Sequence, residues 1–288
     1  MTIDAEICGL PIGDKAPVRI MGVLNLSEES FYKASYIPDS ASLLITAKSM
    51  ITGGATMLDI GARSTAPGVT PISITEEMHR IKSPFEILCS EIPKEIILSV
   101  DTQYGEVAEL CYEIASKNSR PLLVNDVSNL HTDASLRRFV LKTCVPIILM
   151  ASKIKPGDCL TMNEIVTEFR VVLDKLITAG YPRSQIILDP GIGKWIPDKV
   201  PSNDLAILKN MRDLRTLNLP VLVAISRKSF IGALLNLPKP DDRLQGTLAA
   251  TAIAVYNGAH VIRTHDVNLE TVQTIKIAQS IRDSGTRL

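Results

Sequence analysis

The sequence predicts an α/β fold, a single (β/α)8 TIM barrel. Eight short apolar runs alternate with eight segments of helical periodicity, the pattern of parallel strands joined by helices. Three of the runs, IILSVDT, LLVNDVS and IILDPGIG, are closed by acidic or amide residues, as buried parallel strands are when their carboxyl ends bind a ligand. The 288 residues are 45% hydrophobic, which is enough for one large core.

Each predicted strand is a run rich in leucine and β-branched residues that a polar or turn residue closes. The eight strands are expected at residues 18–24, 56–60, 96–100, 122–124, 145–150, 185–188, 221–225 and 260–263. The helices are expected at residues 41–51, 75–88, 104–116, 134–142, 162–179, 204–217, 244–256 and 269–282. The glycines placed as helix C-caps are Gly53 with Gly54, Gly180 and Gly258, and Pro220 stops another helix.

Residues 1–17 precede the first strand and are expected to form an extension of the barrel, as a short hairpin or plug. Residues 18–288 then form one barrel domain. The alternating pattern leaves no room for a second domain, because every apolar run is used by the barrel.

Composition excludes several classes of partner. Lys and Arg together number 31, as do Asp and Glu, and aromatic residues are only 4%, so a nucleic-acid surface is not expected. No apolar stretch reaches about 18 residues, so no membrane span is expected. The N-terminus lacks the features of a signal peptide, and five unpaired cysteines fit a reducing compartment, which together predict a cytoplasmic protein.

Polar side chains follow the strands at the points where the strands end. They are Asn25, Arg63 to Thr65, Asp101, Asn125, Asp189, Arg227 with Lys228, and Arg263 to Asp266. Because strand ends meet at one rim of a barrel, we expect these side chains to line one pocket. Carboxylates and amides together can bind the edge of a flat, nitrogen-rich ring.

Simpler roles are open for several of these residues. Asp101, Asn125, Asp126 and Asp189 could each cap a following helix. Trp195 could stack on an aromatic substrate or only pack against the protein.

The cations and hydroxyls of SRKSFIG and IRTHDV favour the binding of an anion. Asn25 could offer an amide oxygen to Mg²⁺ bound by a diphosphate.

Eight segments in order give the sequence a resemblance to the dihydropteroate synthase family. They are MGVLNLSEESF, LDIGARSTAPG, SVDT, VNDVS, ILDPGIG, AISRKSFIG, GTLAATAIAVYNGA and IRTHDV, from Met21 to Val267. The resemblance implies a (β/α)8 barrel that joins a hydroxymethyl-dihydropterin diphosphate to p-aminobenzoate and releases diphosphate, with Mg²⁺ as cofactor. A homodimer is expected, without residues that indicate its interface.

The same resemblance implies roles for individual residues. It assigns pterin binding to Asp101, Asn125, Asp189 and Lys228, and diphosphate or Mg²⁺ contact to Asn25, Thr65, Arg263 and His265. Ser229 and Trp195 are placed on the arylamine side. Catalysis is expected from Lys228, Arg263 and His265. Arg263 and His265, with Mg²⁺, would stabilise charge on the departing diphosphate, and Lys228 would donate to a ring acceptor of the pterin.

The sequence departs from the family pattern on the arylamine side and in the first two loops. Glu28–Glu29 stand for Pro-Asp, Arg63 and Ala66 for Glu and Arg, Ala151 for His, and Lys194–Trp195 for Phe-Gly-Lys. One alternative is therefore a synthase of methanopterin synthesis, whose ribofuranosyl-aminobenzene phosphate could use the cations of Arg63, Lys153, Lys155 and Lys194. The others are a non-catalytic pterin-binding paralogue and a corrinoid methyltransferase, and the retained SRKS and RTHD segments argue against the methyltransferase.

Overall fold

The computed structural model describes residues 2–29, 32–64 and 68–284 of the chain. Two short antiparallel strands, β1 (Asp4–Ile7) and β2 (Leu10–Gly13), come first. Eight parallel strands follow: β3 (Arg19–Asn25), β4 (Met57–Gly61), β5 (Ile97–Asp101), β6 (Leu122–Asp126), β7 (Ile147–Met150), β8 (Ile186–Asp189), β9 (Leu222–Ala224) and β10 (Val261–Thr264).

The connections between these strands carry the α-helices. They are α1 (Ser40–Thr52), α2 (Ile74–Glu91), α3 (Gly105–Lys117), α4 (Ala134–Thr143), α5 (Met162–Thr178), α6 (Pro201–Lys209), α7 (Ser229–Leu235), α8 (Leu244–Tyr256) and α9 (Leu269–Ser284).

The eight parallel strands close into a barrel. Strands β3 to β8 pair in chain order, β10 lies between β3 and β9, and every pair is parallel. A parallel bridge between Leu188 and Val221 joins β8 to β9, and the Leu188 amide donates a hydrogen bond to the Pro220 carbonyl at 2.9 Å. The predicted (β/α)8 fold is confirmed, and each predicted strand begins and ends within two residues of the observed one.

The inside of the barrel is built in layers, because alternate residues of each strand point inward. The layer at the amino ends of the strands takes one apolar residue from each: Met21, Met57, Ile97, Leu123, Ile148, Ile187, Leu222 and Val261. All of these residues are buried. The layer is therefore an apolar floor beneath whatever lies at the carboxyl ends.

The N-terminal hairpin covers this floor from below. Ile7 and Ile12, one from each strand of the hairpin, are fully buried against the floor residues. Asp14 anchors the end of the hairpin, since its carboxylate accepts hydrogen bonds from the Ile3 amide and from both terminal nitrogens of Arg215, each at 2.8 Å. The hairpin expected in the first 17 residues is thus present and acts as a plug.

One predicted helix is wrong in its extent. In place of a single helix over residues 204–217, α6 ends at Lys209 and a separate 3₁₀ helix spans Met211–Leu217. Asn210 lies at the junction, where its side-chain amide donates to the Ala206 carbonyl and so competes with the helical backbone. Of the glycines predicted to end helices, Gly54, Gly180 and Gly258 have positive φ angles, as C-cap glycines commonly do. Gly53 is the C-cap residue of α1 but has a right-handed backbone, with φ of −72°.

Within the described residues, no helix combines the length and the apolar character that crossing a membrane requires. The five cysteines are free thiols, and Cys89, Cys111 and Cys159 are buried.

Candidate active site

Above the apolar floor, the next inward-facing layer is strongly polar. Two residues further along each strand, the same face carries Val23, Asp59, Ser99, Asn125, Met150, Asp189, Ala224 and Arg263. Two carboxylates, an amide and a guanidinium thus lie at one level of the barrel. Charged groups are rarely buried unless they are paired, so this layer indicates a built site.

A cavity of about 360 Å³ opens above this layer at the carboxyl ends of the strands. Its size suits a small-molecule ligand. The residues that line it are Val23, Leu24, Asn25, Gly61, Arg63, Ser64, Asp101, Asn125, Val127, Asp189, Lys194, Trp195, Ala224, Ser226, Lys228, Ser229, Arg263 and His265.

Nine of the ten predicted site residues line this cavity: Asn25, Asp101, Asn125, Asp189, Trp195, Lys228, Ser229, Arg263 and His265. The tenth, Thr65, lies outside the described residues, as does Ala66. Residues that are more than two hundred positions apart in the chain are therefore brought together.

The alternative in which the acidic and amide residues merely cap helices is wrong. Helix α3 begins after Tyr104, which makes no side-chain cap, and Asp133 rather than Asn125 or Asp126 caps α4. Val200 precedes α6, so Asp189 caps no helix either; its carboxylate accepts from the Gly191 amide within the loop. Asp126 instead holds the loop before α4, where it accepts from the amides of Ser128 and Leu130.

The guanidinium of Arg263 lies at the centre of the polar layer. Its Nε donates to Asp59 Oδ2 at 2.7 Å, and its Nη2 donates to Asp101 Oδ2 at 2.8 Å. The Asn125 side-chain amide donates to the same Asp59 oxygen at 2.8 Å. One network therefore fixes residues from four strands, β4, β5, β6 and β10.

Asp59 is the site residue that sequence reasoning missed. It is fully buried and lies in the middle of β4, whereas the polar residues that were singled out all follow strand ends. A signal was present, since a carboxylate inside an apolar strand requires a partner. It also lies two residues before Gly61, on the face of β4 that points inward.

Burial changes the pKa values of two carboxyl groups that line the cavity, Asp101 and Asp189. It raises the pKa of Asp101 above its usual range; the Arg263 charge opposes this and the Asp59 charge adds to it. It likewise raises the pKa of Asp189, against the positive charges of Lys228 and Arg263. A ligand that donates hydrogen bonds would stabilise the ionised carboxylates.

Lys228 extends into the cavity between two loops. Gly193, with φ of +113°, leaves room for the Lys228 side chain, because a Cβ at residue 193 would lie 2.8 Å from Lys228 Cδ. The Lys228 ammonium is 4.8 Å from the centre of the Trp195 ring. Burial, with the positive charge of Arg263, lowers the pKa of Lys228 to about 8, so the amine is still mostly charged at neutral pH.

Trp195 lines one wall of the cavity, and its indole ring packs closely against Gly157. A Cβ at Gly157 would lie 2.2 Å from Trp195 Cγ, so only a glycine fits against this side of the ring. The indole N–H donates to the Ile192 carbonyl at 3.3 Å.

The loop that carries Trp195 is fixed by a buried ion pair. Lys199 and Asp204 have side chains only 0% and 2% exposed, with Lys199 Nζ 3.6 Å from Asp204 Oδ1. Lys199 donates to the Gly191 carbonyl, and Asp204 accepts from the Gly193 amide.

His265 directly follows β10, which is two strands around the barrel from β8. Its Nδ1 is 3.1 Å from Ser226 Oγ, and the ring of Tyr32 meets it edge to face at 5.3 Å. Burial and the charges of Arg263, Lys228 and Arg227 lower the pKa of His265 to about 3, so its imidazole is neutral at neutral pH. It can therefore contribute a hydrogen bond but no charge.

Helix α2 anchors the first two loops. Glu29, in the loop after β3, forms a two-pronged ion pair with Arg80 at 3.0 and 3.1 Å. Arg63, in the loop after β4, pairs with Glu77 at 2.5 Å. Glu29 and Arg63, two of the departures from the family pattern, thus have ion-pair partners on α2.

The residues around Asn25 fit a magnesium ion that is bound largely by substrate. Asn25 Oδ1 accepts one hydrogen bond, from the Ser27 amide at 3.1 Å, which leaves its second lone pair for a cation. The described residues contain no group of three or more acidic, histidine or cysteine side chains that would hold a metal alone. Mg²⁺ commonly takes few protein ligands and completes its shell with phosphate oxygens and water.

Comparison with known proteins places these features in a family. Residues 21–265 match the family model described as Pterin binding enzyme. The chain is 32% identical over 271 residues to the dihydropteroate synthase of Synechocystis sp., covering 91% of this chain and 89% of that protein. It is also 34% identical over 268 residues to a folic acid synthesis protein of Pneumocystis carinii, of whose length it spans only 34%.

Solved structures of dihydropteroate synthases resemble this chain over nearly its whole length. Dihydropteroate synthase of Yersinia pestis, in a sulfonamide drug complex, has a TM-score of 0.83 and 31% identity, with 99% of this chain and 100% of that chain covered. Dihydropteroate synthase of Coxiella burnetii, in complex with pteroic acid, has a TM-score of 0.82 and 30% identity, with 98% and 99% covered. Because the matched segment contains every described pocket residue from Val23 to His265, the chain belongs to the dihydropteroate synthase family of pterin-binding enzymes.

Proposed function

We propose that this chain joins 6-hydroxymethyl-7,8-dihydropterin diphosphate to p-aminobenzoate and releases diphosphate. The observation that carries the proposal is the single cavity shared by Asp101, Asn125, Asp189 and Lys228 with Arg263 and His265. The first four residues have the donors and acceptors that a pterin needs. The last two lie where a charged leaving group can be stabilised.

Recognition of the pterin follows from the hydrogen-bonding capacity of these residues. The carboxylates of Asp101 and Asp189 can accept from the amino group and ring N–H of the pterin. Asn125 already donates its amide N–H to Asp59, so its carbonyl oxygen remains as an acceptor. Lys228 can donate to a ring nitrogen or oxygen.

The reaction breaks the bond between the pterin methylene carbon and the diphosphate oxygen. The electron pair leaves with the diphosphate, the arylamine nitrogen forms the new C–N bond, and the nitrogen then loses a proton to solvent. Arg263, held in place by Asp59 and Asp101, is preorganised to stabilise the growing negative charge, and neutral His265 can add a hydrogen bond. Mg²⁺, held by Asn25 and diphosphate oxygens, would supply further positive charge.

The second substrate is bound on the side of Trp195, Lys194 and Ser229 in this proposal. A phosphorylated amine is less well supported, because only two of its four expected cations, Arg63 and Lys194, line the cavity. Lys153 is instead paired with Glu164 at 3.2 Å. Arg63 follows β4, which is four strands around the barrel from β8, the strand before the Trp195 loop. p-Aminobenzoate is therefore the favoured amine.

The direct test is turnover by the purified protein. With the dihydropterin diphosphate, Mg²⁺ and p-aminobenzoate, we expect diphosphate release above background, and loss of most of it when the metal is chelated. Equal concentrations of p-aminobenzoate and the ribofuranosyl-aminobenzene phosphate in one assay should yield mainly the p-aminobenzoate product. Tight pterin binding without turnover on either amine would contradict the proposal and favour a non-catalytic paralogue.

The substitution Asp101→Asn tests pterin recognition. Asparagine keeps one acceptor but turns an NH₂ group toward the pterin donors, which leaves buried groups unpaired. One mismatched contact to a charged group costs about 1.5–3 kcal/mol, and sites built on buried polar contacts discriminate strongly. We expect pterin affinity, measured by calorimetric titration of the folded variant, to fall roughly 100-fold.

The matched control is Asp39→Asn, the same chemical change at the exposed N-cap of α1. Asparagine caps helices as well as aspartate does, so pterin affinity and melting temperature should match the wild type. Near wild-type affinity in Asp101→Asn would remove this residue from the site.

We also propose that the chain forms a homodimer through α8 and α9. These two helices pack together, yet large apolar side chains remain exposed on both: Ile253, Tyr256, Leu269, Ile277 and Ile281. Helix α8 is apolar on nearly all sides, which is typical of a helix that is covered on more than one face.

Sedimentation equilibrium tests this assembly. Wild-type protein should sediment as a dimer and Ile277→Asp as a monomer, since Ile277 is 64% exposed in the single chain. Ile45→Asp, at a 70% exposed position on α1, is the matched control and should remain dimeric. A monomeric wild type, or an Ile277→Asp variant that stays dimeric, would refute the proposed interface.

Finally, we infer a cytoplasmic location. Cysteines left as free thiols, most of them buried and far from one another in sequence, fit a reducing compartment.

A further inference from the structure

Arg63 is a buried cation that the roles described so far do not use. It follows β4 by two residues, and its side chain is only 7% exposed. Its Nε donates to Glu77 Oε2 at 2.5 Å, and its guanidinium carbon lies 4.7 Å from the centre of the Tyr104 ring. The Glu77 side chain is fully buried and accepts a second hydrogen bond, from the Thr102 hydroxyl at 2.7 Å. The orientation of Arg63 is therefore fixed from two sides.

The fixed guanidinium has an unused donor. Arg63 Nη2 is buried and finds no hydrogen-bond acceptor in the part of the chain that the structure describes. Leaving a charged donor unpaired in a buried position is costly, more so than for a neutral group. Arg63 also lines the cavity, so an acceptor supplied by a ligand there could satisfy this group.

The position of Arg63 in the barrel indicates which part of the ligand it meets. Arg263 lies in β10 and His265 follows it, Asn25 ends β3, and Arg63 follows β4. These three strands are neighbours in the sheet. Asn25 is the register partner of Gly61, two residues before Arg63. Trp195 follows β8, which is four strands from β4 in either direction around the barrel. Arg63 thus lies on the anion side of the cavity, across from the arylamine side.

We propose that Arg63 is a diphosphate-binding residue, held by Glu77 so that Nη2 donates to a phosphate oxygen of the pterin substrate and of the released diphosphate. The inference rests on the proposed function for the identity of the anion. Glu77 is a positioning residue: it fixes the guanidinium through Nε and leaves Nη2 to the ligand. Because the cation is held before substrate arrives, little side-chain entropy is lost on binding.

The test is a calorimetric titration of the folded protein with inorganic diphosphate in Mg²⁺ buffer, in parallel with the uncharged 6-hydroxymethylpterin. Arg63 alone cannot be removed cleanly, because Glu77 would stay buried without a partner. In the paired variant Arg63→Gln/Glu77→Gln, we expect diphosphate to bind about 10- to 100-fold more weakly, the range for one charge-assisted hydrogen bond. The affinity for 6-hydroxymethylpterin should remain within about twofold of the wild type.

A second variant keeps the proposal testable if the paired variant does not fold. Arg63→Lys retains a cation beside Glu77 but lacks the Nη2 donor, so it should also weaken diphosphate binding while sparing the pterin. Arg215→Gln/Asp14→Asn, which neutralises an ion pair at the hairpin end of the barrel, should change neither affinity.

Two results would overturn the role of Arg63. One is diphosphate affinity within twofold of the wild type in the folded variants, which would mean that water alone satisfies Nη2. The other is an equal loss of diphosphate and pterin binding, which would indicate a general structural role. Because both ligands are titrated without turnover, a failure of the proposed reaction would not be confused with either result.

Discussion

The organisation of the site depends on one buried contact, the bridge that Arg263 makes between Asp59 and Asp101. Burying these charges is unfavourable, and it is offset only because the groups meet at hydrogen-bond distance. Asp59 also accepts a hydrogen bond from the side-chain amide of Asn125, so one carboxylate holds a residue proposed to bind the pterin and a residue proposed to bind the diphosphate. In the proposed function, the two halves of the substrate would therefore be bound by groups that Asp59 holds in common.

The barrel makes this contact possible by separating apolar from polar layers. The floor residues and the plugging Ile7 and Ile12 exclude water from below. The polar layer therefore lies directly above an apolar floor that excludes water, where hydrogen bonds and charge interactions are stronger than in water. Helix α2 also contributes to the site, since Glu77 and Arg80 form ion pairs that hold the loops after β4 and β3 at the cavity mouth.

Much of this arrangement could be predicted from the sequence, because it is set by local patterns. Apolar runs locate the strands, and polar residues at their ends identify nine residues of the pocket. Asp59 was missed because it lies within a strand, where only the inward alternation of side chains reveals it. The pairing of Arg63 with Glu77 depends on how α2 packs over the barrel. No local sequence pattern indicates that these two side chains come within hydrogen-bond distance. The break at Asn210 was missed because helical periodicity continues through it.

Titration of Asp59→Asn with two separate ligands tests the shared anchor most directly. Asp59 is fully buried and bonded to Asn125 and Arg263, so we expect the substitution to act on both ligands through these two residues. If Asp59 orients both Asn125 and Arg263, the affinities for 6-hydroxymethylpterin and for inorganic diphosphate should fall together, each by about tenfold or more in the folded variant. Retention of both affinities, with only the melting temperature lowered, would show that the two halves of the site are organised independently of this carboxylate.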